Sequence, residues 1–138
     1  MKNSSLALDY LTRSHKRLSA LEALYKEQAW PDVVRESQEV VELCLKALLR
    51  QLNLEVPRVH DVSSILEEHR DRVPSKHRGL IEEFCQTSRE LRRDRELAYY
   101  GTEDLTPSEF YKESDASRAK SQAIKVVQGV QKIFDAMN

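Results

Sequence analysis

The sequence has few of the residues that interrupt helices: three glycines and four prolines among 138 residues. Aromatic residues make up only 7%, which argues against a large β-sandwich. Charged residues make up 33%, a composition typical of helical proteins. At this length we expect one domain, residues 1–138, built around one hydrophobic core.

The sequence also lacks an excess of charge of either sign. Lysine and arginine number 22 against 23 aspartates and glutamates, which gives a net charge of −1. A balance of this kind provides no attraction of the whole protein to nucleic acid or to an anionic membrane. Binding of a polyanion would therefore require a local basic patch.

Long apolar runs are missing as well. No run approaches the roughly 20 residues that a membrane span requires, and the stretch "MKNSSLALDYLTRSHK" shows no signal-peptide pattern. Cys44 and Cys85 sit among helix-forming residues with leucines or phenylalanine nearby. A disulfide between them remains open, but the pattern favours two buried free thiols in a reducing compartment. We expect a cytoplasmic protein without a membrane partner.

Apolar residues recur at helical spacing along nearly the whole chain, which predicts an all-α protein. The predicted helices cover Ser5–Gln28, Pro31–Leu52, Val62–Arg70 (with Asp61 as N-cap), Lys76–Tyr99, and a last helix from Ser114 or Asp115. A further helical turn is predicted after Thr106, because Thr106 and Glu109 have the spacing of a capping box. These elements predict an antiparallel bundle of four to five helices. Its expected core includes Val41, Leu45, Leu48, Phe84, Leu91, Val126 and Val130.

The stretch "RRDRELAYYG", residues 92–101, places three arginines and two tyrosines at the end of the fourth helix. At about 100° per residue, Arg95 falls in the middle of the apolar arc, with Arg92 and Tyr99 at its edge. Arg89, Arg93 and Tyr100 point toward solvent. A guanidinium among apolar residues needs a partner, because an unpaired buried charge costs several kcal/mol. That partner is either an acid on a neighbouring helix or, at a cleft or subunit interface, a phosphate-bearing ligand.

Two long segments resemble the HEPN family, the nucleotide-binding domain of higher eukaryotes and prokaryotes. The first is "WPDVVRESQEVVELCLKALLRQLNLEVPRVHDV", and the second joins "LRRDRELAYYG" to "FYKESDASRAKSQA". The resemblance spans residues 29–127 and implies a small helical bundle that dimerises through the helices carrying the polar motif. It also implies a relation to metal-independent ribonucleases, whose signature is an arginine, an adjacent polar residue and a histidine after four to six intervening residues.

Arg95 and Glu96 match the beginning of that signature, but no histidine follows them; all four histidines, His15, His60, His69 and His77, precede the motif. Cleavage of RNA without a metal needs a base that works near pH 7. A tyrosine with a pKa of about 10 is deprotonated in roughly one molecule in a thousand at that pH. The resemblance therefore favours a binding role over catalysis.

Two hypotheses follow from the resemblance. In the first, the protein binds a nucleotide or RNA through Arg92, Arg95, Glu96 and Tyr99. It would do so as a homodimer, with a minimal nucleotidyltransferase as partner in a pair like a toxin–antitoxin module. In the second, it is a divergent metal-independent ribonuclease that uses Arg92, Arg95 and a tyrosine, Tyr99 or Tyr100, with Arg95 and Tyr100 as the catalytic candidates. No cofactor is expected, and the histidines and cysteines lack metal-ligand spacing.

Three further features have two interpretations each. His60 beside Asp61 is either a catalytic dyad or, as we favour, a histidine that fixes a turn. Trp30 either stacks on a ligand or fills the core between two helices, and we favour the core. Glu36, Glu39 and Glu42 are interpreted as a solvated face, with Glu42 also able to pair with Lys46.

Overall fold

The computed structural model describes residues 2–56, 58 and 62–138, and for residues 2, 3 and 94–97 it describes the backbone alone. Within these residues the chain forms helices and no strand. The helices are α1 (Lys2–Lys26), α2 (Trp30–Gln51), α3 (Val62–Glu68), α4 (Leu80–Tyr100), α5 (Pro107–Phe110) and α6 (Glu113–Met137). The prediction of an all-α bundle with four long helices is confirmed. No helix of the described chain has a stretch long and apolar enough to cross a bilayer.

The helix ends follow from local sequence. Pro31 lies in the first turn of α2, where its missing N–H costs nothing. Thr106 and Glu109 form the predicted capping box at α5: the backbone N–H of Glu109 donates to Thr106 Oγ1, and that of Thr106 donates to Glu109 Oε1. Asp61, the predicted N-cap of α3, lies outside the described residues.

The connection between α3 and α4 differs from the prediction. α3 ends at Glu68 and α4 begins at Leu80, while Arg70–Arg72 and Ser75–His77 form 3₁₀ turns. The side chain of Arg78 holds this connection together: its Nε donates to the carbonyl oxygen of Val73 (3.0 Å) and its Nη2 to that of Asp71 (2.9 Å). The Arg78 side chain thus donates to two backbone carbonyls that would accept from backbone N–H groups in a continuous helix.

The helix α2 is the centre of the bundle, because α1, α4 and α6 all pack against it. This position explains its wide apolar face. Every residue of the predicted core is buried: Val41, Leu45, Leu48, Phe84, Leu91, Val126 and Val130. Trp30 is partly buried against this core, with its ring edge-to-face on Tyr25 at 5.1 Å between centroids, as the core interpretation predicts.

Cys44 and Cys85 are both buried free thiols, as predicted. Burial raises the pKa of Cys44 to about 12, and the thiol of Cys85 donates to the carbonyl oxygen of Ser63 at 3.3 Å. Because the thiolate is the reactive form, both cysteines act as small core residues.

One surface interpretation was wrong. Glu36 does not belong to a solvated face: its side chain is only 17% exposed and binds the guanidinium of Arg17 on α1. The two bonds, from Nε at 2.8 Å and from Nη2 at 3.2 Å, make a bidentate pair between α1 and α2. The hydrogen bond to Glu36 is the main reason why the pKa of Arg17 is raised. The predicted pair of Glu42 with Lys46 is confirmed, at 3.2 Å.

Candidate functional site

A tight turn fixes the end of α4, where the sequence places its arginines and tyrosines. Gly101 ends the helix with φ at 80°, in the left-handed region that favours glycine. A Cβ at this position would lie 2.6 Å from the carbonyl oxygen of Leu105 and 2.8 Å from Cδ of Pro107. The loop therefore returns directly over Gly101 and holds the last turn of α4 in a defined position.

Tyr99 and Tyr100 form an exposed aromatic pair at this end of the bundle. The two residues are 51% and 74% exposed, so Tyr100 points to solvent as predicted. The two rings meet edge-to-face, with centroids 4.6 Å apart and an angle of 84° between planes. Exposed rings in a fixed geometry provide faces on which a nucleic-acid base can stack.

Arg35 of α2 places a third group on this surface. Its Cζ lies 4.4 Å from the centroid of the Tyr99 ring, well within the roughly 6 Å range of a cation–π contact. Arg35 could not be identified from the sequence, because Tyr99 is far away along the chain and no local spacing connects the two. The contact joins a guanidinium to an exposed ring, a combination that suits a ligand with both a phosphate and a base.

Arg92, which the sequence places at the edge of the apolar arc, is half-buried and lies close enough to Glu42 of α2 to influence the pKa of its carboxyl. Burial is the largest influence on the pKa of Glu42 and raises it. Hydrogen bonds from Gln38 and Lys46, together with the positive charges of Lys46 and Arg92, outweigh burial, so the pKa of Glu42 lies below its usual value. Glu42 is thus an anion that pairs with Lys46 and lies near Arg92, two helical turns along α2 from Arg35.

The side chains of Arg95 and Glu96 lie outside the described residues, so the partner predicted for Arg95 stays a prediction. The backbone of α4 is described as helix at residue 95. α2 and α4 lie side by side, with Tyr99 at Arg35 and Arg92 near Glu42. Position 95 falls on the stretch of α4 between these two contacts.

The remaining arginines of this region lie at the surface, as predicted. Arg93 is exposed, and the half-exposed side chain of Arg89 binds Glu67 of α3. Acidic residues lie among these arginines, since Arg89 binds Glu67 and Arg93 lies close enough to Glu90 to lower the pKa of that carboxyl.

The described histidines lie away from the end of α4. His15 is on α1 and its Nε2 is hydrogen-bonded to Gln131 of α6, while His69 and His77 belong to the connection that precedes α4. His60, like Asp61, lies outside the described residues. The part of the chain that the structure describes holds no group of three or more histidines, cysteines or carboxylates arranged for a metal ion.

The fold belongs to a known class. The family model of the HEPN domain matches residues 7–133, and the chain is therefore a member of the HEPN family. Membership indicates a function related to nucleotides or RNA, either binding or ribonuclease activity. Neither a curated protein nor a solved structure was found to match the chain.

Proposed function

We propose that this protein is a nucleotide- or RNA-binding module whose binding surface is the end of α4 together with Arg35 of α2. The observation that carries the proposal is the Arg35 guanidinium over the half-exposed ring of Tyr99. The guanidinium offers bonds to phosphate, and the rings of Tyr99 and Tyr100 offer stacking faces. Arg92, two helical turns before Tyr99 on α4, and Arg95 and Glu96 complete the proposed ligand-binding set.

The same proposal includes partners that family resemblance supports. HEPN proteins commonly dimerise and act beside a minimal nucleotidyltransferase, in pairs that resemble toxin–antitoxin modules. We infer that this chain works as a homodimer with such a partner. The protein would then recognise a nucleotide or RNA while the partner supplies the transfer chemistry.

Binding to a fluorescent single-stranded RNA, followed by anisotropy, tests the surface. Tyr99→Ala and Arg35→Ala should each weaken binding by roughly 10-fold or more, because one stacked base contributes about 1–3 kcal/mol. Binding should also fall steeply as salt is added, since arginines displace counterions from phosphates. Arg13→Ala is the matched control, because Arg13 also lies over a tyrosine ring, that of Tyr10 on α1, at 5.9 Å. Wild-type protein that binds no RNA, or variants that bind like the control, would overturn the proposal.

The alternative is a divergent metal-independent ribonuclease that uses Arg92, Arg95 and Tyr99 or Tyr100. What favours it is the position of Tyr100, which follows Arg95 after four intervening residues, where the family signature has its histidine. We expect RNA incubated with purified protein in chelator to stay intact. Cleavage that disappears in both Arg95→Ala and Tyr100→Phe would instead establish the enzyme, with Arg95 and Tyr100 as catalytic residues.

A further inference from the structure

A groove separates α4 from α6 on the surface of the bundle. Both helices pack on α2 and barely touch each other, which leaves a cavity of about 390 Å³ between them. Its floor is formed by Phe84, Val126 and Gly129, all buried, with Leu80 at one end. A Cβ on Gly129 would lie 2.6 Å from Cζ of Phe84. The Phe84 ring can therefore lie across the floor of the groove because residue 129 has no side chain.

The two rims of the groove carry opposite charges. Glu83 and Glu90 stand on the α4 rim, and Lys125 and Lys132 on the α6 rim. Each pair is seven residues apart, which is two helical turns or about 10.5 Å. Hydrogen bonds from Gln122 and Gln86 hold the pKa of Glu90 below its usual value, so its carboxylate is charged at neutral pH.

Three of these four charges are available to a partner, whereas both carboxylate oxygens of Glu90 accept hydrogen bonds, from Gln86 and Gln122. Glu83, Lys125 and Lys132 are exposed, and none of them forms a salt bridge with another residue in the described ranges. The helices run antiparallel, because Gln122 bonds to Glu90 at 3.0 Å while Gly129 lies against Phe84. An acidic row and a basic row therefore run side by side over about three turns of helix.

A second copy of the chain fits this pattern in one orientation only. A two-fold axis parallel to the groove places α4 over α6 of the partner on both sides, so that Glu83 faces Lys132 and Glu90 faces Lys125. The lysines are offset from these acids by about 4.5 Å along the helix, within reach of their flexible side chains. A two-fold axis across the groove would instead place α4 over α4, with acid against acid.

We infer that the groove face of α4 and α6 is the seam of the homodimer, with its two-fold axis parallel to the groove. This inference rests on the homodimer of the proposed function. It adds which surface the two copies share and how the two-fold axis is oriented. It is an isologous contact, in which each copy contributes the same acidic and basic rows. With this axis, the two Tyr99–Tyr100 pairs lie at the same end of the dimer rather than at opposite ends.

Charge reversal tests the seam by mass measurement in solution. Glu83→Lys and Lys132→Glu, each alone, place like charges opposite each other twice per dimer and should weaken dimerisation about 10-fold or more. An equimolar mixture of the two variants should recover a dimer containing one copy of each. In that dimer the two introduced charges face each other with opposite signs, and the unchanged Lys132 of one copy faces the unchanged Glu83 of the other. The same recovery is expected when one chain carries both changes, which also shows that the reversed residues permit folding.

The controls are Lys16→Glu on the exposed face of α1 and Glu27→Lys just after the end of that helix, which should both dimerise like wild type. A monomeric wild type, or a Glu83→Lys variant as dimeric as wild type, would overturn the inference. The RNA-binding test is separate: wild type that dimerises as described but binds no RNA would overturn the proposed function and leave this seam standing. Monomeric wild type that binds RNA would overturn the seam and the proposed homodimer, and would leave the proposed RNA-binding surface standing.

Discussion

Glu42→Ala should lower the free energy of unfolding at pH 7 by about 1.5–3 kcal/mol, the range for hydrogen bonds to a charged group. Glu42 accepts from Nε2 of Gln38 at 2.8 Å and from Nζ of Lys46 at 3.2 Å, and it lies close to Arg92. Removing the carboxylate takes its negative charge away from Lys46 and Arg92. It also releases the amide of Gln38, which is almost fully buried and whose Oε1 has no hydrogen-bond partner among the described residues.

The loss should depend on pH in a defined direction. The pKa of Glu42 is lowered in the folded state, so its contribution is fully present above the unfolded value of about 4.3. The contribution is lost as the pH falls through the lower folded pKa. Urea unfolding should therefore separate wild type from Glu42→Ala widely at pH 7 and much less on strong acidification.

The exposed Glu27 provides the comparison for Glu42. Glu27→Ala should change the free energy of unfolding by no more than about 0.5 kcal/mol at either pH. If Glu42→Ala behaves like Glu27→Ala at pH 7, the contacts of Glu42 do not stabilise the fold.

Gly129→Ala should destabilise the protein by up to about 2 kcal/mol, because overpacking a core usually costs about 1–3 kcal/mol and alanine regains about 1 kcal/mol over glycine in a helix. The new Cβ would lie 2.6 Å from Cζ and 2.7 Å from Cε1 of Phe84, and the buried ring can give way only by disturbing its neighbours. Thermal or urea unfolding measures the difference.

Gly79→Ala is the matched control for Gly129→Ala. A Cβ on Gly79 meets nothing within 4 Å, and alanine restricts the unfolded chain, so this change should be neutral or stabilising by up to about 1 kcal/mol. Equal stabilities of the two variants would show that Phe84 moves aside freely, in which case the floor of the groove is not tightly packed.

The helices and the core could be predicted from the sequence because both depend on local periodicity. Apolar residues at spacings of three and four place Leu45 and Val126 in the core whichever helices they meet. The start of α4 could not be predicted in this way. Bonds from Arg78 to the carbonyl oxygens of Val73 and Asp71 depend on a turn that no periodic pattern encodes.

The contacts between helices were the part that the sequence did not reveal. A helical wheel shows which face of α2 is polar but not what covers that face, so Glu36 was misread as solvated although Arg17 of α1 binds it. Arg35 was missed for the same reason, since its contact is with Tyr99 on another helix. The positions of Tyr99 and Tyr100 at the helix end were predictable, because Gly101 marks that end in the sequence.

The central position of α2 also determines the order in which the chain can complete its core during synthesis. α1 can pack on α2 as soon as both helices have been made. The faces of α2 toward α4 and α6 stay uncovered until those later helices have been synthesised. α6 ends at Met137 and α2 at Gln51, so at 5–20 residues per second the last face stays uncovered for about 4–17 s. During that interval a nascent chain presents the apolar side of α2 to chaperones and to other chains.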